Sequence, residues 1–149
     1  MEEIKKMAEK AAKRVMAYQA KDDVLNDKLI TYISSKGWPI KRRWDTSDYH
    51  WITFELPYEG LESLKIRVKR QKYGSGIGGI PGTIFGAITP ASCEIKFTVI
   101  FKERRLLFKK KKEYMFTINL DEYIDDELKV IDEKKLNTTF ENYLKTIGF

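Results

Sequence analysis

Glu94-Ile95-Lys96 opens a strand and matches the Glu-x-Lys half of a metal-dependent nuclease site. Such a site holds magnesium through oxygen ligands and needs further carboxylates on a neighbouring strand. Asp45, Asp48 and Glu55 are the candidates, but a hairpin and a long loop separate them from Glu94. In a strand Glu94 and Lys96 share a face, so a surface ion pair explains the same residues. Gly74, Gly76 and Gly79 have the spacing of a dinucleotide-binding turn, in which glycine backbone approaches a pyrophosphate at a helix N-terminus. Pro81 and Gly82 follow at once and stop a helix from starting cleanly, and there is no phosphate-loop lysine. His50 has no serine, cysteine or carboxylate at a diagnostic spacing and alternates with Ile52 and Phe54, so it reads as a satisfied, partly buried side chain. Cys93, at a loop–strand junction without a redox motif, reads as a small apolar filler. One cysteine and one histidine exclude an intrachain disulfide and any cysteine-cluster or histidine-rich metal site. No catalytic residue, metal or cofactor is assigned.

The residues that could bind are more numerous. Lys41-Arg42-Arg43 lies between Trp38 and Trp44. Single-stranded nucleic acid asks for this combination, with cations that track phosphates and rings that stack on bases. The same pattern also arises when tryptophans anchor a helix–sheet junction and the arginines stay solvated. Trp51, Lys65, Arg67, Lys69 and Lys96 fall in phase on alternating stretches and are expected to share one solvent-facing side of a sheet. Lys109 to Lys112 reads as a solvated run able to neutralise phosphates without reading sequence.

Between the basic stretches lies a segment of another kind. Residues 73–93 carry no charge, although 34% of the chain is charged, and six of the nine glycines fall between Gly74 and Gly86. Ile77, Ile80, Ile84, Phe85 and Ile88 would be costly to leave in water, so the segment is expected to be an arm that packs against a neighbouring subunit. A mobile loop that orders on a ligand is the alternative. Its glycines and two prolines make it a poor membrane span.

The elements that must position these groups follow from periodicity. Ile4, Met7, Ala8, Ala11, Val15 and Tyr18 recur at helical spacing. Asp22 can cap a second helix with the stripe Leu25, Leu29, Tyr32 and Ile33, and Gly37 and Pro39 end it. Residues 1–37 are therefore expected to form a helical hairpin, followed by a basic, aromatic bend over 38–44. The period then becomes two. His50, Ile52, Phe54 and Leu56, then Leu64, Ile66 and Val68, mark the apolar sides of a hairpin turned at 57–60. Ile95, Phe97, Val99 and Phe101 mark a third strand, and a charged turn at 102–105 leads to a fourth over 106–120, interrupted by the lysine run. Residues 121–130 are a short helix candidate. Leu136, Phe140, Leu144 and Ile147 mark a last helix, with Thr138 and Glu141 in capping-box spacing. The expectation is one α+β domain over 1–149, with a basic, four-stranded, mainly antiparallel sheet over 50–120 and an acidic helical segment over 121–149.

Charge is unevenly spread. Nine basic residues stand against five acidic ones over 36–92, eight against three over 93–120, and four against eight from 121 on. A basic body points to a polyanionic partner, and the acidic segment either caps that body or meets a neighbouring subunit. The N-terminus lacks the apolar core of a signal peptide and no stretch is a transmembrane helix, so a cytoplasmic location is expected. The reading is a non-enzymatic binding protein for nucleic acid or another phosphate-rich ligand, forming a homo-oligomer through the glycine-rich arm. Its alternatives are a structural or assembly protein of a viral or phage particle, and a divalent-metal nuclease.

Overall fold

The computed structural model describes residues 2–71, 92–102 and 110–149. The elements are α1 (Glu2–Ser34), β1 (Ile40–Asp45), β2 (Tyr49–Glu55), β3 (Leu61–Lys69), β4 (Ser92–Phe101), β5 (Lys111–Asn119), a 3-10 turn at Leu120–Glu122, and α2 (Glu133–Thr146). The strands form one antiparallel meander in the order β1-β2-β3-β4-β5. The α+β class stands as expected, with five strands rather than four.

Both predicted N-terminal stretches are helical, but they join. α1 runs unbroken for 33 residues, about 50 Å at helical rise, so the expected helical hairpin is corrected to one continuous helix. Asp22 caps nothing; it lies inside α1, is 1% exposed, and spends its carboxylate on His50 and on the Gln71 N–H. The end of the helix is as expected. Gly37 takes φ +83°, and its N–H meets the Ser34 carbonyl at 3.0 Å.

The stretch over 38–44, read as a bend, contains β1. Its alternation is hidden by a bulge: Ile40 pairs with Phe54 and Arg42 with Thr53, which leaves Lys41 as an extra residue. Trp38 is buried and packs edge-on against Tyr58 and Phe149, so it anchors α1 and the end of α2 to the sheet and offers no ring for stacking on a ligand.

The β2–β3 hairpin forms in the expected phase, with His50 opposite Val68, Ile52 opposite Ile66 and Phe54 opposite Leu64. These residues, with Ile95, Phe97, Val99 and Ile118, turn one sheet face toward Leu25, Leu29 and Ile33 of α1 and Leu136, Phe140 and Leu144 of α2, and close a single core. Residues 121–130 are not an α-helix. Beyond the 3-10 turn, the Asp125 carboxylate accepts the N–H groups of Glu127 and Lys129, both at 2.9 Å, and a bridge joins Ile124 to Val130. A side chain that captures local backbone donors in this way competes with helix formation. α2 starts at Asp132, whose carboxylate accepts the Lys135 N–H. The expected Thr138–Glu141 capping box is not used, because Thr138 sits inside the helix and donates to the Lys134 carbonyl.

Buried Lys21 of α1 reaches Asp121 at 2.8 Å and Asp126 at 3.2 Å. Lys28 meets Glu133 at 3.5 Å. The acidic segment therefore docks on α1, behind the sheet, and leaves the basic sheet face uncapped. The charged turn at 102–105 and the start of the predicted fourth strand fall largely outside the described residues, as do Ile77, Ile80, Ile84, Phe85 and Ile88 of the arm. Among the described residues, no helix is long and apolar enough to cross a membrane.

Candidate nucleic-acid interface

Alternation along the strands carries every second side chain to the sheet face away from the helices. The register then aligns them in rows. Trp44 lies opposite Trp51, Trp51 opposite Arg67, Arg67 opposite Lys96, and Lys96 opposite Met115. The adjoining row is Arg42, Thr53, Lys65, Thr98 and Glu113. Trp44, Trp51, Lys65, Arg67, Lys69 and Lys96 therefore share one open face, and Arg42 joins them. Arg43 does not. It is out of phase, opposite Ile52, and its guanidinium reaches back to Asp27 of α1 at 2.9 Å. Lys41 returns to the open side because it is the extra residue of the bulge, and meets Glu62 at 3.7 Å.

Rings and cations alternate across this face. Trp44 and Trp51 are parallel, with centroids 5.4 Å apart. The Arg42 guanidinium lies 4.3 Å from the Trp44 centroid, and Lys65 Nζ lies 4.6 Å from that of Trp51. Arg67 lies 4.3 Å from the centroid of Tyr49, which meets Trp51 edge-on. These are cation–π distances. Tyr49 was missed from the sequence, although its phase with Trp51 was available.

The charges are not evenly balanced. Glu94 pairs with Arg67 at 3.3 Å and Lys69 at 3.9 Å, while Glu113 pairs with Lys96 and Lys111, each at 3.5 Å. Glu94 is thus a surface ion-pair residue, but its partners are on β3 rather than Lys96. Among the described residues, Arg42 and Lys65 have no carboxylate within ion-pair distance. Burial, and then the charges of Lys96, Lys111 and Arg42, lower the affinity of Lys65 for its proton. Excess positive charge therefore gathers on the β1–β3 side, beside the rings. There a groove of about 410 Å³ is lined by Lys41, Arg42, Trp44, Glu62, Lys65 and Ile100, among others.

Two of the three carboxylates considered for a nuclease site, Asp45 and Glu55, lie away from Glu94. Asp45 bonds His50 on the helix side of the sheet. Glu55 lies at the far end, opposite Ser63, which pairs with Ile100.

A second charged cluster sits behind the sheet. His50 Nδ1 is 2.8 Å from Asp45, and Nε2 is 3.1 Å from Asp22 and 2.8 Å from Asp23. Burial pulls the imidazole toward neutrality, but the hydrogen bonds to Asp22 and Asp45 and their charges prevail, and its pKa is raised to about 9. Asp22, Asp23 and His50 are close enough to hold a cation. Both imidazole nitrogens face carboxylate oxygens, so the protonated ring can donate on each side. The cluster is an ion bridge between α1 and the β1–β2 edge. Asp22 and Asp23 were invisible to a search by spacing, since Asp22 is 28 residues from His50, whereas Asp45 is five residues away. The Cys93 thiol is buried, and burial together with Asp22 and Glu94 pushes it up to about 12, as suits an inert filler.

No family model, curated protein or solved structure matches this chain.

Proposed function

We propose that this protein is a non-enzymatic binder of single-stranded nucleic acid that uses the open sheet face. The observation that carries the reading is the array Arg42, Trp44, Trp51, Lys65, Arg67 and Tyr49, in which rings and cations interleave and, among the described residues, Arg42 and Lys65 have no carboxylate within ion-pair distance. Phosphates would take the cations and unstacked bases the rings. Double-stranded DNA presents no free ring faces and suits the array less well. The Trp51 indole N–H is covered and has no acceptor among the described residues, so a ligand oxygen that displaced its cover would satisfy a donor now left unpaired.

The test is titration with a fluorescent single-stranded oligonucleotide over a range of salt. Affinity should fall steeply with salt, and Trp44 and Trp51 fluorescence should be quenched on binding. The double substitution Lys65→Glu and Arg67→Glu should weaken binding and reduce the salt slope by about one unit per lost phosphate contact. Unchanged binding by that variant removes this face from consideration. A second reading, a protein that assembles with copies of itself, is favoured by Ile4, Met7 and Met16, which are 66%, 63% and 57% exposed on the first half of α1.

A further inference from the structure

The first half of α1 stands clear of the core. Among the described residues of the helix, Tyr18 is the first that is buried, so α1 runs from Glu2 to Ala17, about 24 Å at helical rise, before it meets the core. Ile4 and Met7 are exposed on this projection, one turn apart on one face. Beside it, α1 and the acidic segment form a cleft of about 700 Å³. Lys10, Lys13 and Lys21 line it from α1, and Asp121, Asp125 and Asp126 from the acidic segment. Exposed Ile131 lines it as well. Lys21 is already paired with Asp121 and Asp126, but among the described residues Lys10 and Lys13 have no carboxylate within ion-pair distance. Asp126 stays almost fully exposed despite its pairing. The cleft thus keeps charge of both signs on opposite walls, with an uncovered apolar side chain beside it.

We infer that this cleft receives the tip of α1 from a second copy of the chain, an inference that rests on the reading of self-assembly and not on nucleic-acid binding. The tip matches the cleft in charge as well as in apolar surface. Helical spacing sets Glu3 on one flank of the Ile4–Met7 face and Lys5 on the other. Glu3 then meets the wall of Lys10 and Lys13, Lys5 meets the wall of Asp125 and Asp126, and Ile4 and Met7 cover Ile131. Turning the tip round would set like charges together, so the pairing has one direction. A chain cannot fill its own cleft, because its tip is the far end of the same straight helix that forms one wall. Projection and cleft lie on one chain, so a two-fold axis makes the contact twice, with the tip of each copy in the cleft of the other. Both lie behind the sheet, and the pairing leaves the open basic face free.

The test is the mass of the full chain by light scattering over a range of concentration, with the wild type expected to reach two chains. Ile4→Glu with Met7→Glu should weaken self-association about a hundredfold or more, since it removes two apolar anchors from each of two contacts. Its circular dichroism should match the wild type, as both side chains are exposed. A second measurement locates the contact. Chains carrying Met7→Cys are mixed with chains carrying Ile131→Cys and oxidised; Cys93 is buried and stays out of the reaction. A covalent pair of one chain of each kind should form, visible on a non-reducing gel. If the substituted protein keeps the mass of two chains, or the mixed pair does not form, the inference falls and assembly proceeds through another surface. If Ile4→Glu with Met7→Glu does not fold, these residues belong to the core of their own chain and the inference falls too. A wild type that stays at one chain overturns both the inference and the reading of self-assembly.

Discussion

His50 shows how one residue's chemistry is decided by partners far away in the chain. Its alternation with Ile52 and Phe54 was enough to place it inward, and it is 7% exposed. What the sequence could not supply was the set of carboxylates, because α1 delivers Asp22 and Asp23 across the fold. The consequence is a pH dependence of stability. The folded-state pKa, about 9, lies above the ordinary value of 6.5, so the folded protein holds this proton more tightly than the unfolded chain does. The stabilisation is complete below about pH 6.5 and is lost as pH rises toward 9, at most about 3 kcal/mol over the window. Urea denaturation at pH 6, 7.5 and 9 should show the midpoint falling. In His50→Gln, which keeps polar contacts without a titrating proton, that fall should disappear. A wild-type midpoint that stays level from pH 6 to 9 would show that the bridge does not hold a proton through folding.

At the scale of elements, periodicity was legible wherever one face was buried and the backbone was regular. The β2–β3 hairpin, β4 and the stripe of α2 follow the expected phase, since an inward face is enforced by packing. The strand lost to sequence reasoning, β1, is an edge strand whose bulge breaks the alternation and whose side chains are mostly exposed. The missed continuity of α1 has a related cause. Asp22 resembles a cap, but His50 and Gln71 use its carboxylate from outside the helix. Gly37, in contrast, was readable because only backbone geometry is at stake. A Cβ there would meet nothing within 4 Å, so Gly37→Ala incurs no clash but must still adopt φ +83°. The variant should lose about 1 kcal/mol of stability, read as a lower thermal midpoint with unchanged circular dichroism at 25 °C. A midpoint equal to the wild type would mean that the chain ends α1 in another way.

For the molecule as a whole, the two layers separate its charges. The acidic segment is spent on α1 through Lys21 and Lys28, and the basic face of the sheet stays open. Of the acidic residues, Asp121, Asp126 and Glu133 pair within the chain, with α1 rather than with the basic face. The uncharged segment over 73–93 falls mostly outside the described residues, but Gln71 before it and Ser92 at its end are described. β3 and β4 are already paired as far as Val68 and Ile95, and the Gln71 side chain donates to the Ser92 carbonyl at 3.0 Å. The two ends of the segment are thus held side by side without its help. Loop-closure entropy changes slowly with length, so a short Gly-Ser linker should join them at little cost. Replacing residues 74–90 in this way should leave the thermal midpoint of a dilute sample within a few degrees of the wild type. If Ile77, Ile80, Ile84, Phe85 and Ile88 join subunits, light scattering should show the native mass fall to one chain. If the variant keeps the wild-type mass, the exposed Ile4 and Met7 of α1 become the surface to substitute next. If it fails to fold when dilute, the segment belongs to the core of the single chain.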